Sequence, residues 1–179
     1  MKVIIGAGEQ RWDGWIATQG EELNLLDERT WQAFFGEQKA DAFLCEHVFE
    51  RISIHEAKKA AETIYNYLKP NGYIRLAVPD RLFPNEAYQK TIQIGGPGPI
   101  DHPAADHKVV YGYREFSGVF EEAGFQVSLL EYHDETGAFH VSNWDPEEAP
   151  IYRSSKLDHR NRDGIIRFAS IIIDARKPS

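Results

Sequence analysis

Sulfur is scarce in this chain: 179 residues include one cysteine, Cys45, and one methionine, Met1. A lone thiol rules out a disulfide within the chain and favours a reducing, cytoplasmic setting. Long apolar runs are also missing. Stretches such as Ala169–Ile173 are far too short to cross a bilayer, and Met1-Lys2-Val3 leads into a strand pattern rather than a signal peptide. Positive charge is in the minority, with 20 Lys and Arg against 28 Asp and Glu for a net charge of −8. Binding to a phosphate backbone runs on clustered cations, so nucleic acid and membrane are both poor candidates for partners. There is no internal repeat, low-complexity tract or interdomain linker. With 42% hydrophobic and 12% aromatic residues, the chain reads as one folded domain over residues 1–179.

What is present is clearest between Ala40 and Asp80. Ala42, Phe43, Leu44 and Cys45 form an unbroken apolar run, the pattern of a strand buried on both faces. From Glu56 onward, Ala57, Ala60, Ala61, Ile64, Tyr65 and Leu68 recur at spacings of three and four, opposite Lys58, Lys59, Glu62 and Asn66. That stripe predicts an amphipathic helix, with Lys69 in its last turn and Pro70-Asn71-Gly72 ending it. Tyr73–Val78 then reads as a second strand, parallel to the first.

Val3-Ile4-Ile5 reads as another short buried strand, followed at once by Gly6-Ala7-Gly8. Glycines there permit positive φ and close approach of a ligand at the carboxyl edge, where open α/β sheets bind. A dinucleotide site would want a third glycine at position 11, which is arginine, so a nicotinamide enzyme is the weaker reading. Further along, a loop rich in Gly and Pro runs from Ile94 to His107, before a helix containing Phe116–Ala123. An irregular stretch, Glu135–Arg162, separates strand Gln126–Leu130 from strand Ile166–Ile173.

The middle block, CEHVFER followed by LKPNG and VPD, resembles the centre of class I S-adenosylmethionine-dependent methyltransferases, in particular a small bacterial branch of the type 11 group. VIIGAGEQRWDGWIAT is similar to that family's first strand, glycine loop and "GW" segment; DHKVVYGYREFSGVFEEAGFQV and ASIIIDARKP are similar to its later elements. The resemblance implies a Rossmann-like α/β fold: a mostly parallel seven-stranded sheet, flanked by helices, with an antiparallel last strand. It implies a cofactor-binding half at 1–80 and a substrate-side half at 81–179. S-adenosylmethionine would be the cofactor, S-adenosylhomocysteine the product, and the acceptor a small molecule or glycan.

By motif match, Gly6, Ala7 and Gly8 should line the methionine moiety, with Glu46 and His47 closing that side. Leu26 and Asp27 should sit by the adenine, although Asp27 equally suits a helix N-cap before Glu28–Phe35. The family's acidic ribose ligand is replaced by Thr18 or Gln19, and neutral groups make weaker bonds to a diol than a carboxylate does. The covering helix that often precedes the first strand is not in the sequence.

Methyl transfer from a sulfonium needs chiefly alignment, plus a base where the acceptor must lose a proton. His107 and His102, with Asp106 to orient one of them, are the candidate catalytic residues. No spacing typical of a metal site is present. Arg153, in YRSSKLDHRNRDG, is a candidate for gripping an anionic acceptor, and Trp144 for a substrate contact or a homo-oligomer interface. The alternative to an enzyme is a binding or regulatory module that keeps the fold without turnover.

Overall fold

The computed structural model covers all 179 residues. Strands Lys2–Ile5 (β1) and Trp15–Ala17 (β2) precede helix Glu28–Phe35 (α1); strand Ala40–Glu46 (β3), helix Ile54–Tyr67 (α2) and strand Leu68–Pro79 (β4) follow. The second half contains helices Glu86–Ile92 (α3) and Tyr113–Glu122 (α4), and strands Gln126–His133 (β5), Phe139–Val141 (β6) and Ser170–Arg176 (β7). All seven strands join one sheet in the order β2-β1-β3-β4-β7-β5-β6. β1 pairs in parallel with β2 and β3, and β3 with β4, whereas β7 runs antiparallel to both β4 and β5.

The central unit forms as its sequence predicts, with parallel strands joined by an amphipathic helix. Its start is two residues earlier than the apolar stripe suggests, because Ser53 and Glu56 make a capping box: the Ser53 hydroxyl accepts from the Glu56 amide, and the Glu56 carboxylate from that of Ser53. The helix ends at Tyr67, so Lys69 lies beyond it and donates to Asp41 rather than serving the last turn. The closing strand likewise starts at Ser170, later than its apolar run, since Ile166 and Phe168 instead pack around Phe83 and Tyr88.

The two faces of the sheet are covered differently. On one, Val3, Ile5, Phe43, Cys45, Leu76 and Ile173 pack against Trp31 of α1, Ala57, Ala60, Ala61 and Ile64 of α2, and Phe116 and Phe120 of α4. On the other, Ile4, Ala42, Leu44, Ala77 and Ile172 meet Trp144, Ala149 and Ile151, which belong to no helix. Arg75, in the middle of β4, anchors that irregular cover. Its guanidinium donates to the Asp145 and Ala149 carbonyls at 2.9 Å each and forks onto Asp174 at 2.7 and 2.8 Å. All three nitrogens of this buried cation therefore have acceptors, which is how an arginine is tolerated inside a sheet.

Two shortenings stand out. Residues 6–14 join parallel β1 and β2 through turns alone, where such a connection ordinarily contains a helix. No strand forms at Leu23–Leu26, and β2 is left as the sheet edge. The seventh strand comes instead from the β5–β6 hairpin, Glu131↔Val141 to His133↔Phe139. No helix is long and apolar enough to cross a membrane.

Candidate functional site

The carboxyl ends of β1 and β3 lie side by side in the sheet, and a cavity of about 1030 Å³ opens there. Gly6, Ala7, Gly8, Glu46, His47 and Arg153 line it, together with Gln10, Arg51, Tyr152 and residues 157–160. Both glycines have positive φ, +62° at Gly6 and +54° at Gly8, which lets the chain leave β1 and curl along the cavity wall. They differ in what surrounds them. A Cβ on Gly6 would meet Val48 Cγ2 at 2.8 Å, whereas one on Gly8 would meet nothing within 4 Å. Gly6 is therefore needed for packing, and Gly8 faces open space.

Glu46, at the end of β3, is 5% exposed and well supplied with donors. It accepts from Gln10 Nε2 at 2.6 Å and from the backbone amides of Tyr152 and Arg153 at 3.0 and 2.8 Å, with Arg153 Nη1 at 3.4 Å. Burial raises its pKa, and Arg153 and the amides oppose that rise. The carboxylate thus ties the 152–160 segment across the cavity to the glycine loop, a link reinforced by Trp12 packing at a tilt against Tyr152, 4.9 Å between centroids. His47 follows in a left-handed conformation, φ +55°, unusual for a non-glycine residue. Its Nε2 is 2.9 Å from Ser170 Oγ, and desolvation pushes its pKa well down.

On the β2 side, Thr18 is fully buried and donates to the Ile4 carbonyl, so it faces the backbone and no ligand. Gln19 clamps the glycine loop: its Oε1 accepts from Gly8 N at 3.2 Å and its Nε2 donates to Gly8 O at 2.8 Å. Leu26 lines a separate apolar cavity of about 150 Å³, shared with Leu23, Leu25, Ile5, Gly6, Val48 and Ile52. Asp27 is absent from that lining. Its carboxylate caps α1, accepting from the Arg29 amide at 3.1 Å, and pairs with the Arg29 guanidinium, which lowers its pKa.

The proposed catalytic trio is not gathered around the cavity. His102 Nδ1 accepts from the Ala104 amide within its own loop, and Asp106 binds Arg51 through both oxygens at 2.7 and 2.6 Å, orienting neither histidine. His107 is buried, with Nδ1 against the Ile92 carbonyl at 2.9 Å. Trp144 is also inside, 5% exposed, with its indole N–H donating to Glu131 at 3.0 Å; as part of the core it offers neither a substrate platform nor an oligomer contact. Arg153 alone of the two substrate candidates lines the cavity. Glu50 and Ser170, which the motifs did not single out, flank His47 from below.

No protein-family model matches the chain, and no curated protein matches it in sequence. Solved structures do. A SAM-dependent methyltransferase from Archaeoglobus fulgidus is 13% identical with a TM-score of 0.56, over 98% of this chain and 85% of that one. A complex between a Haloferax volcanii methyltransferase activator and a methyltransferase matches at 14% identity and a TM-score of 0.55, over 99% of this chain and 82% of that chain. An O-methyltransferase family protein from Burkholderia thailandensis matches at 13% and 0.53 over 92% of this chain, which spans only 36% of the other. At such identities the likeness is one of fold, and that fold is the Rossmann-like one of class I methyltransferases.

Proposed function

We propose that the protein binds S-adenosylmethionine along the glycine loop and transfers its methyl group to a small-molecule or glycan acceptor. The observation that carries this reading is the cavity between the ends of β1 and β3, where two positive-φ glycines face Glu46 and His47. The residues suit the ligand. Gly8 leaves room against the main chain, the Glu46 carboxylate, whose oxygens already accept from Gln10, Tyr152 and Arg153, sets negative charge beside an ammonium, and the apolar cavity at Leu26 suits the edge of a purine. When bound, the cofactor supplies an electrophilic methyl on a positively charged sulfur.

This chain's residues then have divided tasks. Residues 1–80 hold the cofactor: Gly6, Ala7, Gly8, Glu46 and His47 at the methionine end, Leu26 at the adenine. Residues 81–179 shape the acceptor side, where Arg153 offers a cation to an anionic acceptor group. Gln19 contributes indirectly, by holding Gly8. We place the protein in the cytoplasm, near the small type 11-like branch; the unpaired β2 edge could take a protein partner, and one structural neighbour was solved as a complex with an activator protein.

Isothermal titration with S-adenosylmethionine and S-adenosylhomocysteine tests this directly, on the wild type and on Gly8→Asp. Micromolar binding, about −8 kcal/mol, that disappears in a folded Gly8→Asp variant supports the assignment. Binding that survives the substitution places the ligand elsewhere, and binding without turnover on any acceptor favours the non-enzymatic module.

A further inference from the structure

Glu50 lies in the single turn Phe49–Arg51 that follows β3, and only 1% of it is exposed. Neither carboxyl oxygen has a hydrogen-bond partner. Such a group is costly to bury, so its presence calls for a reason. Two histidines flank it: His47 Nδ1 at 3.6 Å and His107 Nε2 at 3.8 Å, both measured to Oε1.

The hydrogens of this cluster follow from its outer contacts. The Ile92 carbonyl can only accept, so His107 carries its hydrogen on Nδ1 and presents the Nε2 lone pair to Glu50. His47 is not locked in that way, because the Ser170 hydroxyl at its Nε2 can donate or accept. Glu50 therefore has a fixed acceptor on one side and, on the other, an imidazole that can switch tautomer and that also lines the cavity. The other charged or titratable groups around Glu50 are Cys45 and Glu46 on β3, Arg51 beside it, Tyr88 on α3, Asp106 in the 94–107 loop, Tyr111, and Arg153 on the segment crossing the cavity. Burial outweighs Arg51 and Arg153 and raises the Glu50 pKa to about 8, so the free protein holds it as the neutral acid near pH 7.

We propose that Glu50, acting through His47, stores the proton released in methyl transfer, and hence that the acceptor atom carries a hydrogen that it loses on methylation. This rests on the cofactor assignment above. A cation arriving beside His47 favours the Glu50 carboxylate, which gives up its proton on binding. In the transfer, the acceptor atom bonds the methyl carbon, the carbon–sulfur pair goes to sulfur, and the pair of the acceptor's bond to hydrogen stays on the acceptor atom. The freed proton passes by His47 to Glu50, whose acid form is restored once the sulfur is neutral. Glu50 is a positioning residue in this scheme, and His47 is the one that meets the ligand.

The test is titration of the whole protein at pH values from about 6 to 9, in buffers of differing ionisation enthalpy, with S-adenosylmethionine and with the uncharged sulfur of S-adenosylhomocysteine. With one pKa unit of coupling, the ratio of the two affinities should rise about fivefold from pH 6 to 8 and approach tenfold by pH 9, with protons released only for the cationic ligand. In Glu50→Gln, which keeps a donor for His107, that extra release and the rise in the ratio should both vanish. A flat ratio in the wild type, or an unchanged profile in Glu50→Gln, overturns the role of Glu50 while leaving the cofactor site intact; no binding of either ligand overturns both. Should Glu50→Gln fail to fold, infrared difference spectra of the wild type decide instead: loss of a protonated-carboxyl band with the cationic ligand alone is expected, and its persistence contradicts the proposal.

Discussion

The two ends of the glycine loop are built to different standards. Toward β3 the loop faces a cavity of about 1030 Å³ whose wall is held by Glu46, with donors from three directions. Toward β2 it meets Gln19, already committed to Gly8, and an apolar space of only about 150 Å³. The helix-free connection between β1 and β2 and the strandless run Leu23–Leu26 both fall on this poorer side. Cofactor affinity should therefore be concentrated at the methionine end, with the adenine end contributing mostly apolar burial.

Substitutions at the two ends should separate accordingly. The largest effect is expected from Gly8→Asp, which projects a side chain into open space and should weaken binding of S-adenosylhomocysteine by at least about 100-fold, or 2.7 kcal/mol, without unfolding the protein. Glu50→Gln comes next, read in stability against pH. The Glu50 carboxyl titrates at about 8 in the fold against 4.5 without it. The unfolded chain thus loses its proton first, and this group's contribution to stability falls as pH rises through that window. The buried His47, with its pKa pushed down, works the other way: its contribution is present above the unfolded histidine range and is lost as pH falls. Comparing Glu50→Gln with wild type isolates the first trend; the variant should gain roughly 2–4 kcal/mol relative to wild type between about pH 5 and 8 in denaturant melts.

Glu46→Ala should cost about 1–2 kcal/mol of stability, by orphaning the Tyr152 and Arg153 amides, and about tenfold in affinity. Asp27→Ala removes only a helix cap: a loss of about 1 kcal/mol, or a melting shift of roughly 2–4 °C, with cofactor affinity unchanged. An affinity loss there would restore Asp27 to the adenine site and break the contrast drawn above. The smallest effect is expected of Gln19→Glu. It keeps an acceptor for Gly8 N, loses the donor to Gly8 O, and adds a carboxylate for the ribose, for a net gain of about threefold in titration.

The sequence was legible where pattern and structure share a period. The apolar run at Ala42–Cys45 and the stripe from Ala57 to Ile64 encode β3 and α2 because burial repeats along them. Gly6-Ala7-Gly8 was legible because few residues tolerate its backbone. Arg75 and Trp144 were not, since an irregular segment covering a sheet face has no period, and the partners of a buried arginine are known only once the chain has folded. Ser53 and Glu56 did carry a local signal, the capping box, which the apolar stripe alone overlooked. Glu50 is the hardest case. It lies within CEHVFER, but a carboxyl in a single turn looks solvated until His107 arrives from a distant loop.

Amide hydrogen exchange with saturating S-adenosylhomocysteine is the most direct test of the central claim. The account predicts new protection at Gly6–Gln10, Glu46–Val48 and Tyr152–Arg153, and less at Gln19–Leu26. Protection confined to Gln19–Leu26, or to the far end of the sheet around Gln38 and Lys69, would contradict it.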